Sequence, residues 1–223
     1  MLSALLFDLD GTLANTDPLH LAIWQDLLNP HGHQIDLQFY QHHISGRLNA
    51  DILADLLPHC SEAEVQAFST YKEHRFRQLA AEQLTPTPGL ITFLNWIEAQ
   101  GWKTAVVTNA PRDNAEFMLA TLNLSHRFYT LVVAEELPQA KPHPLPYQES
   151  LRQLTLGAEQ AIAFEDSVTG VKSAVAAGLF TIGVTTTHDG HTLKQAGAQR
   201  VISNFEDQEL SDLGLMVPST QGC

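Results

Sequence analysis

Asp8 and Asp10 stand one residue apart in Asp8-Leu9-Asp10-Gly11-Thr12, directly after the apolar run Ser3–Phe7. Two carboxylates this close repel each other. A hard divalent cation between them, most naturally Mg²⁺, would relieve the repulsion. Alternatively, one acid keeps its proton and serves as a general acid. Two solvated turn acids would do neither. A second acidic pair, Glu165-Asp166, follows the apolar run Ala161–Phe164. At a helix start such a pair is stabilising in its own right. A calcium loop of the helix-loop-helix type does not fit, because Leu19 stands where its bidentate glutamate would be and the glycine comes too early. A phosphate-cradling loop does not fit either, since no Gly-Lys-Ser/Thr follows.

Something must carry these acids to one place. Six short apolar segments read as strands buried on both faces: Ser3–Phe7, Lys103–Val107 closing on Thr108, Leu131–Ala134, Ala161–Phe164, Leu179–Val184 and Arg200–Ser203. Helical patterns lie between them over Leu90–Gln100, Asn114–Leu122, Tyr147–Leu154 and Val168–Ala177. The alternation predicts an α/β fold, a Rossmann-like doubly wound parallel sheet. Ligands then gather at the carboxyl edge of the strands, where both acidic pairs fall. Residues 15–85 break the rhythm. Leu19, Ile23, Leu27 and Leu28 share one helical face, Ile52, Leu53, Leu56 and Leu57 another, and Val65, Phe68, Tyr71, Lys72 and Arg75 continue a third stretch. Pro86-Thr87-Pro88-Gly89 turns the chain back to the sheet pattern. Residues 1–14 and 86–223 are expected to form the α/β core, and 15–85 an inserted all-helical cap domain.

The segment Phe7–Leu13 resembles the first motif of the haloacid dehalogenase-like superfamily, in its phosphatase and phosphomutase branch. Thr108-Asn109, Lys141-Pro142 and Glu165-Asp166-Ser167 resemble the next three motifs, in order. The resemblance spans essentially the whole chain. It implies that Asp8 is a nucleophile forming an aspartyl-phosphate, and that Asp10 protonates the leaving alcohol and then activates water. It implies Thr108 and Lys141 as further catalytic groups at the phosphoryl oxygens, with Asn109 beside them. It implies Mg²⁺ held by Asp8, the Asp10 carbonyl and Asp166, with Glu165 as a ligand or an anchor. An acid at Asp10 suits an alkoxide leaving group, whereas a halide leaves without a proton.

Asn15-Thr16-Asp17-Pro18-Leu19-His20, followed by Trp24, resembles the start of the cap in the beta-phosphoglucomutase-like subfamily. The likeness implies a role for His20 in closure or substrate contact, and makes Ser45–Asn49 the specificity loop. Arg47 could pair with a second anionic group of the substrate. Lys72, Arg75 and Arg112 are further candidate contacts, and as isolated residues they read equally well as solvated cations. The arginine of Gly46-Arg47-Leu48-Asn49 comes earlier than in the mutase loop. Hydrolysis of a small phosphorylated metabolite, such as a sugar phosphate, is therefore expected first. A sugar phosphomutase is the alternative, and a non-catalytic phospho-ligand-binding regulator is a third reading.

The 223 residues carry 12 Lys and Arg against 25 Asp and Glu, a formal charge of −13. That balance argues against nucleic acid or anionic membrane as a partner. At 44% hydrophobic residues the chain is not disordered. No apolar run approaches the ~18 residues of a membrane span, and the N-terminus lacks the basic start of a secretory signal. Cys60 and Cys223 make no disulfide framework, so a reducing, cytoplasmic setting is expected. The partner expected is a small phosphorylated molecule, and the protein is expected to be a monomer. From about Ser211 onward no chemistry is visible, and a peripheral tail is expected.

Overall fold

A computed structural model describes residues 1–215. Six strands form one sheet: β1 (Ala4–Phe7), β2 (Lys103–Thr108), β3 (Thr130–Val133), β4 (Ala161–Glu165), β5 (Phe180–Val184) and β6 (Arg200–Ile202). Neighbours are all parallel, in the order β3-β2-β1-β4-β5-β6. All six expected strands are present, displaced by no more than a residue at an end.

Parallel neighbours cannot be joined by tight turns, so helices carry the crossovers. In chain order the helices are α1 (Asp17–Leu28), α2 (Leu37–His43), α3 (Asn49–Leu56), α4 (Glu62–Gln83), α5 (Leu90–Ala99), α6 (Arg112–Thr121), α7 (Leu145–Leu154), α8 (Val168–Ala176), α9 (Gly190–Ala196) and α10 (Gln208–Asp212). Strand alternation splits the apolar side chains between two layers. Leu5 and Phe7 join Phe93, Met118, Phe164 and Phe205 on one face. Ala4 and Leu6 join Tyr147, Leu151 and Ala174 on the other. Phe7 stacks on Phe164 with ring centroids 5.1 Å apart, which locks β1 to β4 beside the acids.

Helices α1 to α4 follow β1 without an intervening strand and bury a cluster of their own, with Trp24, Leu28, Tyr40, Ile44 and Ile52 at its centre. α4 starts with a capping box between Ser61 and Glu64. The insertion is not sealed off from the sheet domain, because Ile23 of α1 and Phe76 and Ala80 of α4 belong to the main core. Its two connecting segments run side by side. Thr87 donates its N–H to the Leu13 carbonyl at 2.8 Å and its hydroxyl to the Thr12 carbonyl at 2.7 Å.

The expected peripheral tail from Ser211 needs correction. Leu215 is buried and Leu213 packs against the same main core, since α10 turns its apolar residues back onto the sheet layer. Cys223 lies outside the described residues.

Candidate active site

The carboxyl ends of three adjacent strands deliver the polar groups: Asp8 just past β1, Thr108 closing β2, and Glu165-Asp166 at the end of β4. Their registers match, with Phe7 opposite both Val106 and Phe164. Lys141 arrives from the β3–α7 connection, through a cis bond to Pro142. Its Nζ donates to Asp8 Oδ1 at 2.6 Å, to Glu165 Oε1 at 2.6 Å and to the Val107 carbonyl at 2.7 Å. All three side chains are nearly dry. Burial works against the Lys141 charge, but the Asp8 and Glu165 carboxylates outweigh it and hold its pKa up at about 12. Asp8 is pushed up to about 7, chiefly by burial and against the pull of Lys141, with Glu165 adding repulsion. Asp166 is likewise raised, by burial first and then by the charges of Asp8 and Glu165.

Asp8 Oδ1 is thus engaged by Lys141, while Oδ2 receives no hydrogen bond among the described residues. Asp166 is fixed at both oxygens, by the hydroxyl of Thr12 at 3.0 Å and by that of Thr187. Glu165 accepts from Lys141 and from Tyr147 Oη at 2.6 Å, and so anchors the lysine. Gly11, at φ 80°, is required on two counts. Its backbone is left-handed, and a Cβ there would stand 2.1 Å from Asp166 Oδ2.

The Asp8 and Asp10 carboxylates do not share one partner, which corrects the reading of a cation lying between the two side chains. The chain leaves the strand after Phe7, and the Asp10 carboxylate turns toward the insertion. There Oδ1 accepts from Thr16 Oγ1 at 2.8 Å and lies 3.2 Å from His20 Nε2. Burial opposes ionisation of Asp10, but the His20 contact, Thr16 and the Lys72 charge together hold its pKa below the usual value. His20 is stacked on Phe76 at 4.3 Å, which sets the ring plane. The acids that do converge are Asp8, Glu165 and Asp166, each offering one oxygen within 4.8 Å of the others. Three buried carboxylates against one ammonium form a hard-oxygen site with unbalanced negative charge, which suits a divalent cation of the Mg²⁺ class.

Thr108 Oγ1 accepts from the Ala110 N–H at 2.9 Å, so it caps the backbone while facing the cavity. Asn109 serves as a bracket. Its Nδ2 donates to the Gly46 carbonyl of the insertion at 2.9 Å and to the Lys141 carbonyl at 3.3 Å, and its Oδ1 accepts from the Lys141 N–H. A second tie joins the two parts, where Gln41 Nε2 donates to the Thr187 carbonyl and Gln41's own carbonyl faces His188 Nε2.

These groups open into a cavity of about 430 Å³ between sheet edge and insertion, a size typical of small-molecule sites. His20, Arg47 and Lys72 all line it. Arg47 is nonetheless turned to Asp55, at 2.6 Å, and Lys72 to Glu73, at 2.9 Å. Arg75 donates to Gln78 away from the cavity, and Arg112 forms surface pairs with Glu116 and Glu136. Tyr147, Thr12, Thr187, Glu73, Arg77 and Asn114 were not identified as site residues from the sequence. Only Thr12, inside the first motif, carried a local signal.

The family model for haloacid dehalogenase-like hydrolases matches residues 5–184. The chain is 31% identical to validoxylamine A 7'-phosphate phosphatase of Streptomyces hygroscopicus subsp. limoneus, across 88% of this chain and 92% of that protein. It is 28% identical to a phosphorylated carbohydrates phosphatase of Thermotoga maritima, across 92% of this chain and 96% of the other. A solved structure of a CbbY variant from Rhodobacter sphaeroides in complex with xylulose-(1,5)bisphosphate superposes with a TM-score of 0.81 at 26% identity, covering 92% of this chain and 95% of that one.

Proposed function

The chain belongs to the haloacid dehalogenase-like hydrolase family, and from that premise we propose that it hydrolyses phosphate monoesters of small metabolites by attack of Asp8 on phosphorus. It is a phosphatase of the family. The observation that carries the reading is Asp8 itself: it lines a metabolite-sized cavity, one of its oxygens is clamped by Lys141, and the other accepts no hydrogen bond among the described residues.

In the first step Asp8 Oδ2 forms a bond to phosphorus, and the bond from phosphorus to the ester oxygen breaks. The leaving oxygen takes a proton from Asp10 and departs as an alcohol. The Thr108 hydroxyl and the Lys141 ammonium stabilise the phosphoryl oxygens as their charge redistributes. Asp10, now a carboxylate, takes a proton from water as the water attacks the aspartyl-phosphate. Phosphate leaves, and Asp8 and the Asp10 proton are restored. The contacts with His20 and Thr16 favour the carboxylate form of Asp10 needed for the second step, and the attacking water is the source of the proton it regains. Asp8, Asp166 and the Asp10 carbonyl would hold Mg²⁺, with Glu165 anchoring Lys141 alongside. The ion would neutralise phosphoryl charge and let an anionic nucleophile approach. The helical insertion is read as a cap that excludes water and contacts the leaving group. A phosphomutase would need a cap cation for a distal phosphate, and the commitment of Arg47 to Asp55 argues for hydrolysis.

Turnover of p-nitrophenyl phosphate tests the reading. It is expected to vanish with EDTA, to return with Mg²⁺, and to be absent in Asp8→Asn with the circular dichroism spectrum unchanged. Full turnover in that variant would reject Asp8 as the nucleophile.

A further inference from the structure

The far wall of the cavity has chemistry that phosphoryl transfer does not use. Lys72 and Glu73, adjacent on α4, are both buried, at 5% and 6% exposure. Lys72 Nζ donates to Glu73 Oε1 at 2.9 Å and lies 5.8 Å from the centre of the Trp24 ring. Asn49 Nδ2 donates to the same Glu73 oxygen, while Asn114 Nδ2 of the sheet domain donates to Oε2 at 2.5 Å. Asn114 Oδ1 in turn accepts from Arg77 Nη1 at 2.5 Å. The positive groups of the wall therefore already have partners within the protein: Lys72 on Glu73, Arg77 on Asn114, and Arg47 on Asp55.

Asp113 and Glu135 face the same space. Glu135 has its pKa raised by burial first, and further by the charges of Glu136, Glu73 and Asp113. Counting Asp55, which pairs with Arg47, four acids (Glu73, Asp113, Glu135 and Asp55) are set against three cations, Lys72, Arg77 and Arg47. A second phosphate brought here would meet an excess of like charge, and the one wall cation without an acidic partner among the described residues, Arg77, is already held by the Asn114 amide. Hydroxyl groups would fare differently, since each both donates and accepts, and the wall offers carboxylate and amide partners for both.

Resting on the phosphatase reading, we infer that Glu73 is a specificity determinant. The wall around it admits monoesters with an uncharged, hydroxyl-bearing leaving group and rejects substrates carrying a second phosphate.

The test is competition against p-nitrophenyl phosphate hydrolysis by fructose 1-phosphate and by fructose 1,6-bisphosphate, at saturating Mg²⁺. In the wild type the monophosphate is expected to compete at about tenfold lower concentration or better. Glu73→Gln, which removes the charge and keeps the shape, is expected to narrow that gap by about tenfold, through tighter binding of the bisphosphate. Asp113→Asn, at an exposed helical position, is expected to move the ratio the same way to a smaller extent, and it answers the question should Glu73→Gln not fold. Equal competition by the two esters in the wild type would overturn the inference. So would a ratio unmoved in both variants, or failure of fructose 1-phosphate to compete at millimolar concentration. Absence of any p-nitrophenyl phosphate turnover would instead strike the phosphatase reading.

Discussion

At the scale of single residues, Lys141 is the group on which the site's charge balance turns. It pairs with Asp8 and Glu165 at once in a place with almost no water. A buried ion pair is weak evidence for net stability, yet removing one partner strands the other, at a cost of about 3–5 kcal/mol. Lys141→Met is therefore expected to lower unfolding stability by about that amount in chelated protein, as measured by urea titration. It is also expected to slow turnover by about 10²–10³, as loss of a charge-stabilising donor does. A stability change below about 1 kcal/mol would mean that the two acids simply take up protons and do not depend on the lysine.

At the scale of elements, the question is how helices α1 to α4 are held over the sheet edge. Gly46, on the loop between α2 and α3, has φ 71°, and a Cβ there would lie 2.8 Å from Ser167 Oγ across the interface. Its carbonyl is also the one that Asn109 grips. Gly46→Ala is expected to cost about 1 kcal/mol through its backbone, and to lower kcat/KM by about tenfold or more by holding the two parts slightly apart. Gly32 provides the control. It has φ 86°, and a Cβ there would meet no described atom within 4 Å. Gly32→Ala then carries the same kind of backbone strain without a blocked contact, and its kcat/KM is expected to match the wild type. Equal losses of activity in both variants would assign the effect to local strain and not to closure.

At the scale of the whole molecule, the site is a local concentration of negative charge in a chain that is acidic throughout, with a net charge of −13. Without a cation, folding must hold ionised Asp8 and Asp166 in a buried setting. Asp8 has an ordinary value of 3.8 and a folded value of about 7. An acid with a raised folded pKa favours the fold most when protonated, so this contribution is full below its unfolded value and is lost as pH climbs toward the folded one. In EDTA, Tm is therefore expected to fall between about pH 4 and 7, by an amount corresponding to a few kcal/mol. Mg²⁺ binds the ionised form and should cancel the decline. At about a hundred times its Kd it should add about 2.7 kcal/mol of stability. A chelated protein whose Tm is flat or rises over that range would contradict this account.

Much of this was legible in the residues alone. The six strands could be read because each is a short apolar run buried on both faces, and the insertion could be read because its apolar positions recur at helical spacing. The ordered motifs around Asp8, Thr108, Lys141 and Glu165-Asp166 marked the sheet edge, since strand ends are local in sequence. What the tertiary structure decided was which side chains meet. Asp10 could not be separated from Asp8 by spacing, because its partner His20 reaches it from a helix of the insertion. Arg47 and Lys72 were visible as cations, and their partners Asp55 and Glu73 are close in sequence, but spacing alone did not show that these side chains pair, nor that Asn49 and Asn114 converge on Glu73. Asn114 and Arg77 carry no motif, and their contact exists only across the two parts of the molecule. Periodicity and local motifs encode where a backbone goes, while the pairing of charges depends on distances between segments far apart in the chain.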